Sequence, residues 1–360
     1  MEAIKNTVSN LVGTSTDAAG KGTVLVTGAS GFLATHVVKN FLDHGYHVRG
    51  TVRSEETANR VRQTHSQHSD RLSFAIVEDV AAPGAFDEAV KGVDGVIHTA
   101  SPFVTTVEDV EKDLLQPAIQ GTTNILEAIA KYNPNVKRVV ITSSFASIID
   151  MTKGTRPGHT YTEEDWNNMT YQQAKESGNG TVGYCASKAL AEKAAWDFVK
   201  ERKPNFSLAT VCPPMVYGPI LHHVPSLDKL NTSSADVYRL MNGSLKEVPP
   251  TTFYAWADVR DVAEAHRLAY EKPEAAGQRF FITGGNFVYQ QFCDIIRKNV
   301  PEVRDRTPVG KPGTGVGDDV YRVNGSKAER VLGLKYTSME QCVTDTARSL
   351  LELEKSTGKA

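Results

Sequence analysis

Long apolar runs are missing from this chain of 360 residues. No stretch approaches the roughly 18 consecutive apolar residues that a membrane-spanning helix needs. Cysteine is scarce too. Cys185, Cys212, Cys293 and Cys342 are the whole complement, and none stands in a CxxC or other metal-type spacing. They read as buried or semi-buried free thiols of a reducing compartment, and no metal site is expected. Nor is there an excess of charge. Lys and Arg total 40 and Asp and Glu 42, for a formal net charge of −2. That balance gives no reason to expect nucleic acid or an anionic membrane as a partner. Residues 1–21 lack the apolar stretch of a secretory signal and contain no arginine. Residues 1–22 therefore read as an N-terminal extension of a cytoplasmic protein. No internal repeat or low-complexity tract is visible.

What is present is an alternation of strand and helix signals through the first 210 or so residues. Strands are expected at 24–26, 47–53, 72–77, 95–100, 136–142 and 207–212. A long helical pattern covers 107–132, bent at Pro117. A strong helix is expected over 184–200, and the polar stretch 150–180 reads as loop. Such alternation implies a parallel sheet with helices on both faces. The fold class is α/β, a Rossmann-like doubly wound sheet over residues 23–212. Beyond Pro213 the pattern loosens into helices near 235–242, 259–270, 290–299 and 339–353, with a brief strand at 279–283 and a loop at 307–317. Residues 213–360 read as a smaller, mainly substrate-binding region, some of whose segments return to the first domain. A cleft between the two is the expected substrate site.

Three features carry chemistry. The first is Gly28-x-x-Gly31-x-x-Ala34 directly after the first strand. Gly28 permits a tight turn, Gly31 lets backbone amides approach a phosphate, and Ala34 lets the helix pack closely. The second is Tyr184 and Lys188, four apart on a helix and so on one face. A nearby ammonium favours the phenolate, which makes tyrosine a usable acid or base. The third is Thr142-Ser143-Ser144, hydroxyls at the carboxyl end of a parallel strand. One of them can hydrogen-bond a substrate carbonyl and the charge that develops on it. At the end of the second strand, where NAD enzymes carry an acidic residue, this chain has Arg53. A guanidinium suits a 2′-phosphate, so NADP(H) is expected over NAD(H).

These residues resemble the extended short-chain dehydrogenase/reductases. Within them the chain is similar to the dihydroflavonol 4-reductase and cinnamoyl-CoA reductase branch, and to the yeast methylglyoxal/3-methylbutanal reductases and other fungal carbonyl reductases. The shared strings are VTGASGF at 26–32, HTASPF at 98–103, GTTNILEA at 121–128, TSSFAS at 142–147, YCASK at 184–188, EKAAW at 192–196, DVRDVAEAH at 258–266 and VGKPGTG at 309–315. The likeness spans about residues 23–353. It implies an NADPH-dependent carbonyl reductase that converts aldehydes or ketones to alcohols. By position, Tyr184 protonates the carbonyl oxygen, Lys188 binds the nicotinamide ribose and lowers the tyrosine pKa, and Ser144 polarises the carbonyl. Gly28, Ser30, Gly31, Phe32 and Leu33 line the pyrophosphate, Arg53 the 2′-phosphate, and Asp79 and Val80 flank adenine. Thr99, Ala100 and Ser101 pass the nicotinamide ribose, and Pro213, Pro214, Met215 and Val216 support the nicotinamide. Phe103, Phe145, Val182 and Met215 match substrate-pocket walls or are ordinary core. Asn124 is a water-relay member or a helix-packing amide.

The chain also departs from the pattern. Thr57 stands where relatives often carry a lysine four residues after the arginine, so Arg49 or Arg60 is left to supply a second cation. Cys212 replaces a usual asparagine, and Met215 an aromatic residue. Two further readings stay open: a nucleotide-sugar epimerase or dehydratase on the same scaffold, and a non-enzymatic NADP-binding regulator. Assembly is expected as a monomer or homodimer. His65 and His68 read as solvated, His222-His223 as a loop at the cleft mouth, and Asp258 and Asp261 as residues that cap and position the helix after them.

Overall fold

The computed structural model describes residues 20–101 and 107–358. Phe103, and all but the last three residues of the expected extension, lie outside them. The described strands are β1 (Thr23–Thr27), β2 (His47–Val52), β3 (Leu72–Ile76), β4 (Gly95–His98), β5 (Arg138–Thr142), β6 (Thr160–Tyr161), β7 (Ser207–Cys212), β8 (Met215–Tyr217), β9 (Ala255–Asp258), β10 (Gln278–Phe281), β11 (Gly285–Asn286) and β12 (Arg322–Val323). The helices are α1 (Phe32–Asp43), α2 (Glu55–Thr64), α3 (Gln116–Tyr132), α4 (Tyr171–Glu176), α5 (Gly180–Arg202), α6 (Thr232–Met241), α7 (Val259–Glu271), α8 (Tyr289–Asn299) and α9 (Met339–Ser356).

Seven strands form one parallel sheet in the order β10-β7-β5-β4-β1-β2-β3. Its strands are apolar on both faces, because each face is covered by helix. Val24, Val26, Val48, Ile97, Val140 and Val211 point to the side of α1 and α7. Leu25, Val96, Val139, Ile141 and Leu208 point to the side of α3 and α5. The chain order reverses at β1/β4, where the two halves of such a sheet diverge and leave a crevice beyond the carboxyl ends of the strands.

The last sheet strand, β10, pairs with β7 after an excursion of more than sixty residues, and α7 packs on α1. A smaller layer of α6, α8 and α9 closes around Trp256, Phe287, Phe292 and Leu350. Beside it lies a three-stranded sheet in the order β11-β9-β8.

One expectation is corrected. Residues 150–180 are not simply loop: β6 pairs in parallel with β12, and α4 carries a capping box from Thr170 and Gln173. At the expected bend, a π-helical turn at Glu111–Leu115 runs directly into α3, whose first turn holds Pro117.

Candidate active site

The glycine turn is built by its neighbours. Gly28 has φ +68°, and a Cβ there would meet Ala100 Cβ at 3.1 Å, so a side chain would be strained and crowded at once. Its N–H donates to Thr51 Oγ1 at 2.9 Å, and the Ala29 N–H donates to Thr51 O, so β2 fixes the turn from one side. On the other side Thr27 Oγ1 accepts from the N–H groups of Thr99 and Ala100, both at 3.0 Å. Gly31 is the N-cap of α1 and offers no side-chain hydrogen bond to its first turn. The amides of Phe32 and Leu33 thus open a helix whose positive end has no anionic cap of its own. This arrangement fits a dinucleotide pyrophosphate.

The helix α5 places the second group. Asn179 caps it, its Oδ1 accepting from the N–H groups of Thr181 and Val182 at 3.0 and 3.1 Å. Gly183 lets α5 approach the π-helical turn, since a Cβ there would lie 2.5 Å from Val110 Cγ1. Tyr184 follows immediately. Lys188, one turn on, is buried, donates from Nζ to Ser101 Oγ, and lies 5.5 Å from the Tyr184 ring centroid.

The third group comes from the end of β5. The Ser143 N–H donates to Val211 O at 2.7 Å and the Phe145 N–H to Pro213 O at 2.8 Å. Between these ties Ser144 caps a single 3-10 turn, Phe145–Ser147, its Oγ accepting from the Ala146 N–H.

All three meet on one cavity of about 460 Å³. Of the residues singled out in the sequence, Phe32, Leu33, Thr99, Ser101, Ser144, Tyr184, Lys188, Pro213, Pro214, Met215 and Val216 line it. Burial pushes the Tyr184 phenol above its usual pKa, and a hydrogen bond from Ser144 pulls it part of the way back. Burial lowers the Lys188 ammonium to about 8. The net shift of the tyrosine pKa is therefore upward in the protein alone. Desolvation disfavours charge on both groups, and the ammonium is engaged with Ser101. A phenol that keeps its proton at neutral pH is the form a proton donor needs.

The sequence of residues 24–283 matches the NAD dependent epimerase/dehydratase family. This chain belongs to that family. Among its relatives, the ketoreductase azaE of Aspergillus niger is 41% identical over 91% of this chain and 97% of its own length. The NADPH-dependent methylglyoxal reductase GRE2 of Saccharomyces cerevisiae is 37% identical over 92% of this chain and 98% of its own. The crystal structure of that yeast methylglyoxal/isovaleraldehyde reductase with NADPH superposes with a TM-score of 0.85 over 92% of this chain and 99% of its own, at 36% identity. The NADPH complex of Gre2 from Candida albicans gives 0.84 at 38% identity, over 92% and 99% of the two chains.

Within this epimerase/dehydratase scaffold some expected residues lie elsewhere. Phe145 is fully buried and stacks on Phe281 at 4.9 Å between ring centroids. It is core rather than pocket wall, because the 3-10 turn after Ser144 rotates it away from the cavity. Val182 is half-buried and does not line the cavity, lying two positions before Tyr184 on a different face of α5. Asn124 donates from Nδ2 to Val80 O and Ala82 O at 3.2 and 3.0 Å, which is the helix-packing role. The exposed Asp79 accepts from the Ala81 N–H.

Arg53 is exposed at the end of β2. Arg49 is committed elsewhere, donating to Ala89 O and Lys91 O. Arg60, paired with Glu56, lines a second cavity of about 210 Å³ with Ser30, Thr35, Thr57, His222 and His223. His65, expected in solvent, is buried under α2, and burial lowers its pKa to about 4. His68 is partly exposed and bonded to Asp43 and Arg71. Asp258 caps α7 through the Arg260 N–H, and Asp261 accepts from the Thr337 N–H and hydroxyl.

Thr142 and Ser143 line the main cavity beside Ser144, and sequence reasoning missed Ala146, Thr181, Cys185, Asn231, Thr232, Ser233 and Phe253 in its wall. Ala146 adjoins Ser144, and Thr181 and Cys185 flank Tyr184 at helical spacing, so these could have been found from their neighbours. Asn231 to Ser233 and Phe253 come from loops and the start of α6, with no local signal. The four cysteines are free and buried. Burial pushes the Cys185 and Cys212 thiols up to about 12, which makes them inert. Among the described residues no cluster of His, Cys, Asp and Glu is arranged to hold a metal, and no helix is long and apolar enough to cross a membrane.

Proposed function

We propose that this protein is an NADPH-dependent carbonyl reductase that converts aldehydes or ketones to alcohols. The convergence of Ser144, Tyr184 and Lys188 on one mostly apolar cavity carries the reading. Bound NADPH supplies a hydride for the carbonyl carbon. Tyr184 donates its phenolic proton to the carbonyl oxygen. Ser144, which already hydrogen-bonds the phenol, holds the same oxygen and stabilises the negative charge that builds there. Lys188 and Ser101 hold the nicotinamide ribose with Thr99 and Ala100. The amides of Phe32 and Leu33 beyond the Gly28–Gly31 turn, with Ser30, hold the pyrophosphate, Asp79 and Val80 flank the adenine, and Arg53 takes the 2′-phosphate. Pro213, Pro214, Met215 and Val216 back the nicotinamide. Met215, Phe253, Asn231 and Ser233 shape the substrate end.

The four free thiols agree with a reducing, cytoplasmic setting. We read residues 23–212 as the cofactor-binding domain, with residues 1–22 as an extension that precedes it in the sequence. The substrate-binding region, 213–360, lends α7 and β10 back to the sheet. The test is Tyr184→Phe. Its turnover of α-keto aldehydes, diketones, aryl ketones and branched aldehydes is expected to fall by about 10²-fold or more, while NADPH binding by fluorescence titration stays within about twofold. Retained turnover would remove the mechanism.

The family name keeps a second reading in view, a nucleotide-sugar epimerase or dehydratase. Dehydratases of this scaffold add an acid pair after the strand-five hydroxyl, and here Ser144-Phe145-Ala146 offers none. Purified protein is expected to carry no tightly retained NAD. Finding stoichiometric NAD after gel filtration would favour the second reading.

A further inference from the structure

The proposed reaction leaves one fully buried charge unused. Glu192 lies on α5, eight residues beyond Tyr184 and four beyond Lys188, with its side chain 1% exposed. It does not line the main cavity. Both carboxylate oxygens are fully engaged. Oε2 accepts from Ser143 Oγ at 2.6 Å, from Ser147 Oγ at 2.7 Å and from Arg279 Nη2 at 3.2 Å. Oε1 accepts from Arg279 Nε at 2.7 Å, Thr210 Oγ1 at 2.8 Å and Trp196 Nε1 at 3.2 Å.

These partners are not a random set. Ser143 and Ser147 bracket Ser144, and Ser147 Oγ also lies 2.7 Å from Ser144 O. Thr210 belongs to β7 and Arg279 to β10. Arg279 is itself fixed, stacked 3.5 Å from the Trp166 ring centroid and donating to Asp165 O at 3.0 Å. One carboxylate therefore joins the helix that carries Tyr184 and Lys188 to the turn that carries Ser144, and joins both to the sheet. A buried ion pair is weak evidence for stability, since desolvation offsets most of its attraction. Its value here is geometric: few groups accept six hydrogen bonds from four different elements in one arrangement.

We propose that Glu192 is a positioning residue for the carbonyl reduction, clamping residues 143–147 to α5 and so fixing the spacing of Ser144 from Tyr184. The inference rests on the reading of Ser144 and Tyr184 given above. A misplacement of about 1 Å remote from the chemistry can cost about 10²-fold in rate. Burial works to raise the Glu192 pKa, and Arg279 with the two serines outweighs it, holding the group ionised.

The test compares Glu192→Gln, Ser147→Ala and Tyr184→Phe with the parent protein. In Glu192→Gln, kcat is expected to fall about 10- to 100-fold, with the carbonyl KM and the NADPH dissociation constant within about twofold and an unchanged far-UV circular dichroism spectrum. A purely structural residue would lower the melting temperature and leave kcat in place, and that result overturns the proposal. If Glu192→Gln does not fold, Ser147→Ala decides, because it removes one tie and leaves the ion pair. A loss of at least about threefold in kcat at constant NADPH affinity supports the role, and parental kcat overturns it. If Tyr184→Phe is inactive while folded Glu192→Gln is fully active, only the positioning role fails. If Tyr184→Phe keeps its turnover, the catalytic reading fails and takes this one with it.

Discussion

At Lys188 two effects run against each other. Spacing alone suggests an ammonium that acidifies the neighbouring phenol. In the fold, burial acts on both groups, raising the phenol and lowering the ammonium to about 8. Lys188 is thus cationic below about pH 8 and neutral above it. If it holds the nicotinamide ribose as an ammonium, NADPH affinity falls as pH rises from 7 to 9.5, with the midpoint near 8. A titration that stays flat over that range would show that its charge does not contribute.

The cofactor's other end is open to a residue-level test. Arg53 and Arg60 are the candidate cations left once Arg49 is spent on backbone carbonyls. Arg53→Ala is expected to weaken NADPH or 2′-AMP binding by about tenfold or more, on the scale of one charge-assisted hydrogen bond, and to leave NADH unchanged. Arg60→Ala should cost less, because the side chain is exposed and shared with Glu56. Isothermal titration with the two nucleotides separates these effects. The place of Arg53 directly after β2 was legible, because the end of a second strand is a fixed address in this fold. For Phe145 and Val182 the choice between pocket wall and core was not legible, because a matching position in a string says nothing about which way a turn rotates its side chains.

Among the elements, those with strong periodicity were read to within a few residues, as β7 and α5 illustrate. β6 is two residues long and exists only because β12, more than 150 positions later, pairs with it. Nothing local marks such a strand. α5 also owes its placement to a contact that the sequence does not announce, the one at Gly183. Gly183→Ala would force its Cβ to within 2.5 Å of Val110 Cγ1. The expected cost is about 1–3 kcal/mol of stability, the usual range for overpacking, measured by urea unfolding. Val110→Ala in the same chain should return much of it. A double variant no more stable than Gly183→Ala would mean that the clash is relieved elsewhere.

The whole molecule carries a set of histidines held neutral by burial. His36, His65, His222 and His266 are lowered to about 4 and His98 to about 3, from an ordinary value of 6.5. Below pH 6.5 the unfolded chain takes up protons at these five sites and the folded chain does not, so stability falls as pH drops toward 4. Asp261, raised to about 6 by burial, works in the opposite sense, because the folded chain takes its proton first. Five sites against one predict a melting temperature that declines steadily from pH 6.5 to 4.5, above the range where paired carboxylates titrate. A level melting temperature across that window would contradict the neutral, buried assignment.

The doubly wound sheet was legible from alternation, and so was the expectation that later segments rejoin it. The partner of β7 could not be named in advance, because pairing is a choice among distant strands. That choice has a consequence for biogenesis. A ribosome that has released the chain only through Cys212 has made every group of the proposed catalytic trio, yet β7 still presents a bare edge. The apolar side of α1 still waits for α7. Until residue 281 clears the exit tunnel, the nascent protein offers a sticky strand to its neighbours, and a gene truncated between those points should yield aggregate rather than a free-standing nucleotide-binding module.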